Sequence, residues 1–466
     1  MNAGERELQW IRTAQPPCVE NSCEDNWLRY VENGQMADEK LFKDWISAVP
    51  GSLAPCHLVI AAIQCMRNKG YDVREAEKYI DDGLRAAEER NGALLQVITA
   101  KIYHLLNIAP KDLSSAYWKY KQYATWEEVE MDCYFPEYTV EISEKELEEC
   151  VQAGWYGQLI GGALGTQLEG YTAENIKKTF GNVTGYLREP ETYNDDITYE
   201  LAFLAAFFEE GYCVTSEKIA EKWLELIEDG YSAEEIALRN LRNGLIPPES
   251  GTYGNYYSDW IGAQMRTAIH GMVAPGNPKL AAMMAAKDSI ISHSNSGMIG
   301  GIFNAILVSL SYVEKEMKTL VINTIECLPK ESEFYSIVKY ALEVCKINPE
   351  WESAWKLCEE KLRDYNWIHT YPNAAAEIIA LWYGDNDFNK TANIIAMLGQ
   401  DVDCTAAPVL NVLGVAYGMS QIDEHWIKPL GTEILTVMRK YKKFQFSELC
   451  AVTLKSIRNA AEYKPK

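Results

Sequence analysis

Apolar residues recur every three to four positions along most of the chain, which predicts a protein built almost entirely of helices. Between Asp38 and Ala124 the pattern divides into four helical runs, the third from Ala76 to Ala87, with breaks at Pro50-Gly51, Gly70 and Pro110. We find no run in which apolar and polar residues alternate over the length of a strand. The pattern therefore predicts an all-α fold that begins with a small antiparallel bundle.

The helical period is lost over residues 126–142, a segment that also contains a proline. Ser143 and Glu146 then form a capping-box pattern, which predicts the start of a long helix, and Ser232-x-x-Glu235 predicts the cap of a helix over 233–243. We therefore predict an N-terminal helical domain, residues 1–142, and a larger helical domain, residues 143–466. The apolar run from Ser296 to Val313 contains several glycines and polar residues, so we expect a buried core helix there rather than a membrane span.

Three polar or glycine-rich segments interrupt the helices of the larger domain. The glycine-rich patch from Gly161 to Gly170 fits either close helix packing or contact with a ligand, and packing is favoured. The segment from Pro247 to Trp260 is rich in turn formers and tyrosines, so we expect a loop of the kind that carries substrate contacts. His293, just ahead of the apolar run, fits a helix-start residue better than a catalyst.

The composition excludes several classes of function. The 466 residues include 67 acidic and 44 basic ones, a net charge of −23, which argues against nucleic-acid binding and against an anionic membrane partner. The twelve cysteines form no CxxC pair and no zinc-ligand pattern, so we expect mostly reduced, buried thiols. The first ten residues do not resemble a secretory signal, and the expected compartment is the cytoplasm.

Two acidic clusters lie about two hundred residues apart, each at the start of an apolar helical run: Asp195-Asp196 and Asp401-x-Asp403. Each pair could simply favour its own helix start, where the helix dipole stabilises negative charge. Adjacent carboxylates repel one another, however, unless a cation lies between them. Oxygen ligands of this kind select Mg²⁺, Mn²⁺ or Ca²⁺. From spacing alone, separate helix starts and one shared metal site both stay open.

The order of motifs resembles the ADP-ribosylglycohydrolase family, which includes the dinitrogenase-reductase-activating glycohydrolase. The resemblance spans about residues 155–420 and rests on motifs that occur in the family's order. These motifs are Gly161-x-x-x-Gly165-x-x-x-Glu169, Asp195-Asp196 at a helix start, Ser292-His293 ahead of a small-residue helix, Asp387-Phe388, and Gly399-x-Asp401-x-Asp403. The resemblance implies an all-helical fold of large, orthogonally packed helices with a dimagnesium site.

Carried over position by position, the resemblance also implies the residues of the site. Asn194 and Cys404 stand where the family has threonine ligands. The implied metal ligands are Asn194, Asp195, Asp196, Asp401, Asp403, Cys404 and Thr405. The implied catalytic residues are Glu169, Asp196 and Asp403. The implied substrate-binding residues are Gly165, Gly262, Arg266, Ser292 and His293.

The implied activity is hydrolysis of the bond at the anomeric ribose carbon of an ADP-ribosylated protein or a small ADP-ribose conjugate. Two Mg²⁺ ions, or Mn²⁺ in their place, are the expected cofactors, with Glu169 as general acid or base. Two alternatives stay open. One is a module that binds ADP-ribose or a nucleotide but turns over little, because of Asn194 and Cys404. The other is a hydrolase of a different N-glycoside, in which the N-terminal bundle reshapes the pocket.

Overall fold

The computed structural model describes residues 1–16 and 27–462, and 66% of the protein is helical. The prediction of an all-α fold is confirmed. Strands are limited, in the described residues, to three antiparallel pairs of two or three residues each. One apolar core extends through the N-terminal and C-terminal parts of the chain.

Seven α-helices lie in the described residues before position 143. They are α1 (Ala3–Thr13), α2 (Leu28–Trp45), α3 (Leu58–Asn68), α4 (Arg74–Glu77), α5 (Ile80–Glu88), α6 (Gly92–Asn107) and α7 (Trp126–Met131). A short hairpin of β1 (Ser47–Ala48) and β2 (Pro55–Cys56) connects α2 to α3. The run from Ala76 to Ala87, predicted as a single helix, is divided between α4 and α5. Residues 126–142 also hold one short helix that the loss of periodicity did not predict.

Eighteen further α-helices follow in the described part of the chain after position 143. They are α8 (Glu144–Gly165), α9 (Ala173–Phe180), α10 (Asp195–Glu210), α11 (Ser216–Leu226), α12 (Ser232–Arg242), α13 (Glu249–Thr252), α14 (Gly262–Met265), α15 (Ala268–Met272), α16 (Pro278–Ser289), α17 (Asn295–Ser311), α18 (Met317–Glu326), α19 (Glu333–Ile347), α20 (Trp351–Leu362), α21 (Thr370–Tyr383), α22 (Phe388–Leu398), α23 (Val402–Tyr417), α24 (Glu424–Leu430) and α25 (Phe446–Glu462). The remaining strands are β3 (Tyr171–Thr172), β4 (Gly399–Gln400), β5 (Glu433–Leu435) and β6 (Lys443–Gln445). Three 3₁₀ helices, Ala116–Lys119, Gly211–Cys213 and Gly418–Gln421, complete the described secondary structure.

Helices α8 and α23 cross closely at the centre of the larger part of the fold. Gly157, Gly161 and Gly165 are spaced four residues apart on one face of α8. A Cβ atom on any of them would lie within 2.4 Å of the backbone of α23. Only glycine permits this approach, so the glycine-rich patch serves helix packing, the reading that the sequence favoured.

Helix α8 begins as predicted, because the Ser143 side chain and Glu146 form a complete capping box. The Ser232-x-x-Glu235 pattern, by contrast, gives no side-chain cap: Tyr231 occupies the N-cap position and Ser232 has a φ of 47°. Every residue of α17 is buried, as expected for the apolar run that starts near Ser296.

Within the described residues, one helical span is long and apolar enough to cross a membrane by length and composition, Val402–Gln421. Its most apolar window is 83% buried inside the fold, and it contains the central helix α23. The described cysteines are free thiols, and most are buried. Cys18 and Cys23 lie outside the described residues.

The segment from Pro247 to Trp260 differs from the exposed substrate loop that the sequence suggested. Most of its residues are buried, and some of them form hydrogen bonds with the N-terminal helices. Tyr257 Oη donates to the Leu58 carbonyl at 2.8 Å, and Lys69 Nζ donates to the Tyr256 carbonyl at 2.9 Å. The segment therefore attaches the N-terminal region to the larger part of the fold.

Candidate active site

A cavity of about 400 Å³ opens where the first turns of α10 and α23 approach each other. Five carboxylates line it: Glu169, Asp195, Glu234, Asp401 and Asp403. In the part of the chain that the structure describes, the lining includes no lysine, arginine or histidine. The cavity therefore concentrates negative charge that no basic residue of its own lining offsets.

Asn194, and not an aspartate, caps helix α10. Its Oδ1 accepts a hydrogen bond from the Asp196 backbone N–H at 2.6 Å, and its Nδ2 donates to Asp403 Oδ2 at 3.4 Å. Asp196 is fully buried, whereas Asp195 is exposed toward the cavity. Because Asn194 satisfies the helix start, capping does not account for either carboxylate.

Asp401 occupies the N-cap position of α23, but its side chain makes no capping hydrogen bond. The Asp401 backbone N–H donates to Asn373 Oδ1 at 3.1 Å. One potential ligand atom each of Asp401, Asp403 and Cys404 lies within 4.8 Å of the others, a spacing that could hold a metal ion. Both acidic pairs therefore keep carboxylate oxygens free for another partner.

The thiol of Cys404 connects the two acidic pairs. Its Sγ lies 3.4 Å from Asp196 Oδ1 and 3.6 Å from Met265 Sδ. Two carboxylate clusters that are far apart in the sequence thus meet in space. We call Glu169, Asp195, Asp196, Asp401 and Asp403 the acidic cluster.

Glu169 reaches this cluster through the turn that follows α8. The Gly165 carbonyl accepts from the Leu168 N–H at 2.7 Å, which tightens the turn. Strands β3 and β4 then pair the residues after Glu169 with those before Asp401. Gly399 lies in this pair with a φ of +72°, and a Cβ there would come within 2.2 Å of the Tyr171 carbonyl. The strand pair thereby fixes Glu169 beside Asp401.

The acidic cluster binds protons unusually tightly. Burial raises the pKa of Glu169 well above its ordinary value, and the charges of Asp403 and Asp401 raise it further. Burial and the neighbouring carboxylates likewise raise the pKa of Asp196 and of Asp401 well above the usual range. Like charges gathered in a desolvated site have this effect when no cation offsets them.

The donor atoms of the cluster suit a hard divalent cation. Asp196 Oδ2, Asp401 Oδ1 and Asp403 Oδ1 are buried and have no hydrogen-bond partner in the structure. Buried carboxylate oxygens without partners are costly, and Mg²⁺ and Mn²⁺ are bound by such oxygens. The residues present therefore fit the metal ions that the sequence resemblance implied.

Thr405 differs from the other predicted metal ligands in its position. Its hydroxyl donates to the Asp401 carbonyl at 2.9 Å, within the first turn of α23, and the residue does not line the cavity. Cys404 does line the cavity. The structure therefore brings Cys404 and the four aspartates together and places Thr405 behind them.

Arg266 lies behind the cavity wall with its whole guanidinium group in use. Its Nε donates to Asp288 Oδ1 and its Nη1 donates to Glu234 Oε1, both at 2.7 Å, and its Nη2 donates to Ser292 Oγ at 3.0 Å. Ser292 Oγ is 2.7 Å from His293 Nδ1. We call Arg266, Glu234, Asp288, Ser292 and His293 the arginine cluster.

The members of the arginine cluster are almost completely buried, and of them only Glu234 lines the cavity. The predicted substrate residues Arg266, Ser292 and His293 therefore lie one layer behind the cavity surface. Gly262 lines the cavity, and a Cβ there would come within 2.0 Å of Glu234 Oε1. Gly165 lies instead at the crossing of α8 and α23, with no place in the cavity lining.

Several residues of the cavity lining, among them Glu234, Trp367 and Val49, were not predicted from the sequence. Glu234 was hidden inside a pattern that resembled a helix cap. Trp367 and Ile368 precede α21 and belong to no motif. Val49 and Pro50 come from the N-terminal region, where the only local signal was a helix break. No local pattern indicates that residues so far apart line one cavity.

Comparison with known proteins gives a family match. The family model described as ADP-ribosylglycohydrolase matches residues 143–451. A protein of Archaeoglobus fulgidus without an assigned function is 25% identical over 304 residues, which are 62% of this chain and 92% of that protein. A solved chain described as part of an ADP-ribosylglycohydrolase-related protein complex superposes with a TM-score of 0.51 at 20% identity. The superposition covers 68% of this chain and 99% of that one, and at this identity the likeness concerns the fold alone.

Proposed function

Because the chain belongs to the ADP-ribosylglycohydrolase family, we propose that it hydrolyses the glycosidic bond at the anomeric ribose carbon of an ADP-ribose conjugate in a metal-dependent reaction. One observation carries the proposal. The five carboxylates of the acidic cluster converge at one cavity, four of them in its lining, and buried oxygens of Asp196, Asp401 and Asp403 have no partner. Such a site attracts divalent cations, and in this family a glycosidic hydrolysis is the expected chemistry.

The residues that would hold the cations are Asn194, Asp195, Asp196, Asp401, Asp403 and Cys404. When bound, divalent ions supply charge that stabilises developing negative charge and lower the pKa of coordinated water. The aspartates place oxygen ligands on two helix starts, so that ribose hydroxyl groups can be oriented between them. Thr405 would contribute to the metal site indirectly, because the hydrogen bond from its hydroxyl to the Asp401 carbonyl fixes the first turn of α23.

Glu169 is the candidate for proton transfer. It lies beside the metal-binding aspartates, is buried, and holds a proton more tightly than an ordinary glutamate does. A carboxylic acid that is still protonated near neutral pH can donate that proton to a departing group. The same group, once ionised, can accept a proton from the attacking water.

A second candidate function is hydrolysis of an N-riboside that carries no phosphate, such as a nucleoside. The observation in its favour is the cavity lining, which has no basic side chain among the described residues to meet a pyrophosphate. If the substrate is an ADP-ribose conjugate, metal ions and backbone N–H groups must bind its pyrophosphate. If the substrate is a nucleoside, these groups need only bind the ribose hydroxyls.

The test is a hydrolysis assay on a panel of substrates. We would incubate the protein with arginine- and serine-linked ADP-ribosyl peptides and with nucleosides, in Mg²⁺, in Mn²⁺ and in a chelator, and separate the products by chromatography. Release of ADP-ribose supports the first function, and release of a free base supports the second. Glu169→Gln, which keeps the shape but not the acid, should slow either reaction by about 10²–10⁴-fold.

Three outcomes would contradict the proposal. Turnover that survives the chelator would exclude a metal-dependent reaction. Full activity in Glu169→Gln would remove the assigned proton donor. Binding of ADP-ribose by calorimetry without release from any substrate would instead identify a binding module.

A further inference from the structure

The family match begins at residue 143, yet part of the cavity wall comes from the region before it. The contributing segment comprises residues 47–56, the β1–β2 pair and its connection, which we call the N-terminal hairpin. Val49 and Pro50 of this hairpin line the same cavity as Glu169, Asp401 and Asp403. The site is therefore completed by a part of the chain that the family model does not describe.

The hairpin is seated on the turn that carries Glu169. Gly51 has a φ of +102°, and a Cβ there would lie 3.0 Å from the Thr166 carbonyl and 2.5 Å from its side chain. Tyr171 Oη donates to the Ser52 carbonyl at 2.9 Å. These contacts lie immediately before and after Glu169, so the hairpin lies directly against that turn.

Further contacts fix both ends of the hairpin. Ala54 is completely buried against Gly170, where a Cβ would come within 2.4 Å of the alanine methyl group. Cys56 Sγ forms a hydrogen bond with the hydroxyl of Tyr231, a residue that also lines the cavity. The hairpin is thus held by close contacts on two sides of the cavity and cannot be displaced without cost.

The hairpin brings a chemical character that differs from the rest of the site. Val49 presents only hydrocarbon, and Pro50 has neither a polar side chain nor a backbone N–H donor. They add apolar surface to a cavity whose carboxylates would hold cations and sugar hydroxyls. Ile261, Met265 and Trp367 add further apolar surface to the same cavity. A compact uncharged group on the ribose fits such a surface better than the charged side chain of a protein.

We propose that the N-terminal hairpin is a specificity element that selects ribosides with a compact, uncharged leaving group over ADP-ribosylated protein side chains. This inference rests on the proposed function, since it assigns the leaving group of the same reaction. It gives the N-terminal region a direct part in the site.

The experiment compares two hairpin variants, Val49→Ala and Pro50→Ala, with the matched control Pro110→Ala. Pro110 is an exposed proline of the same N-terminal region that does not line the cavity. The panel contains nitrophenyl ribosides of both anomeric configurations, adenosine, ADP-ribose and an ADP-ribosyl-arginine peptide. We would measure kcat and KM for the compounds that are hydrolysed and Kd by calorimetry for all of them, together with the affinity for Mg²⁺.

The expected result is a loss of about tenfold in kcat/KM or affinity for the compact ribosides in the hairpin variants, with the peptide unchanged. Mg²⁺ affinity should be unchanged in all three proteins, because the hairpin contributes no metal ligand. Pro50→Ala alters an exposed residue and guards against misfolding of Val49→Ala.

The specificity role would be overturned if the hairpin variants changed kcat/KM or Kd equally for every compound, or not at all. It would also be overturned if the wild-type protein preferred the peptide to all of the compact ribosides. Ligands that bind without being hydrolysed would refute the proposed function while the hairpin effect on Kd remains measurable. A wild-type protein that binds metal but no member of the panel overturns both proposals.

Discussion

The acidic cluster lies at the cavity and the arginine cluster lies mostly one layer behind its wall, and the charges of the two clusters are balanced in opposite ways. In the arginine cluster, Arg266 pairs with Glu234 and Asp288 through two contacts of 2.7 Å. In the acidic cluster, buried oxygens of Asp196, Asp401 and Asp403 have no partner. The first group is neutralised by the chain itself, whereas these oxygens of the second have no counter-ion among the described residues.

The difference appears in the pKa values of the carboxyl groups. Burial would raise the pKa of Asp288, but Arg266 and His270 lower it below the ordinary value. Burial raises the pKa of Asp196, and its acidic neighbours raise it further. A buried carboxylate with a counter-ion is a structural element, and buried carboxylates without one mark a binding site. The comparison predicts that changes in the first cluster affect stability and changes in the second affect function.

The largest expected effect is on turnover. Asp403→Ala should reduce metal-dependent hydrolysis by about 10⁴-fold, ~5 kcal/mol, because it removes a ligand of the proposed metal ions. Its melting temperature in metal-free buffer should stay nearly unchanged, since the lost carboxylate was repelled by its neighbours. Enzyme assays and thermal unfolding of the same preparation provide the two readouts. An active Asp403→Ala protein would show that the acidic cluster is not the catalytic site.

The next effect is on stability and comes from the other cluster. Arg266→Met should lower the free energy of unfolding by about 3–5 kcal/mol, because two buried carboxylates lose their cation. Adding Glu234→Gln to this variant should restore part of the loss by removing one unpaired charge. Urea unfolding of the single and double variants measures both effects. A cost below about 1 kcal/mol for Arg266→Met would contradict the structural role of this residue.

Metal ions and pH should act together on the acidic cluster. The raised pKa values of Glu169, Asp196 and Asp401 mean that the folded state holds protons that the unfolded state releases. Their stabilising contribution is present below the ordinary carboxyl pKa of about 4 and is lost as pH rises through the folded values. The metal-free protein should therefore lose stability as the pH rises above the ordinary carboxyl pKa of about 4.

Saturating Mg²⁺ should reverse this trend. At a concentration of one hundred times Kd it should add about 2.7 kcal/mol to the free energy of unfolding at neutral pH. Asp288 has the opposite sign: its lowered pKa gives stability above pH 4 that is lost in acid, with or without metal. Unfolding curves at several pH values, with Mg²⁺ and with a chelator, measure these slopes. Identical slopes in both buffers would mean that no cation binds the acidic cluster.

The smallest effect concerns the choice of metal. Cys404→Thr replaces a soft sulfur with a hard oxygen beside Asp401 and Asp403. It should raise the affinity for Mg²⁺ relative to Zn²⁺ by about tenfold, which is ~1.4 kcal/mol. Calorimetric titration with each metal measures the ratio, and Cys450→Thr, a cysteine of α25 outside the cavity lining, is the matched control. An unchanged ratio in Cys404→Thr would mean that Sγ does not contact the ions.

The helices and the acidic helix starts could be predicted from the sequence because each depends on neighbours within about four positions. The capping box at Ser143 and the buried run of α17 are examples. The break between α4 and α5 was not predicted. The same apolar residues can pack against the core from one continuous helix or from two shorter ones. The missing cap at Ser232 shows the same limit, because a suitable side chain does not ensure the hydrogen bond.

The site residues divide along the same line. Asp195, Asp196, Asp401 and Asp403 were evident from their position at helix starts and from the family's order of motifs. The burial of Arg266 behind the cavity was not evident, because it depends on Asp288 and Glu234, which lie more than twenty residues away in either direction. A sequence motif identifies a side chain but not the direction in which it points.

An all-helical chain of one family, with an acidic pair at two of its helix starts, follows from the sequence alone. Three features depend on the tertiary fold: the two helix starts meet, Asn194 caps α10 in place of an aspartate, and the N-terminal hairpin completes the cavity. Periodicity and capping act over a few residues, whereas the meeting of Glu169 with Asp401 and Asp403 depends on the close crossing of α8 and α23 and on the β3–β4 pair. These long-range contacts arise from the packing of the whole core, which no local pattern records.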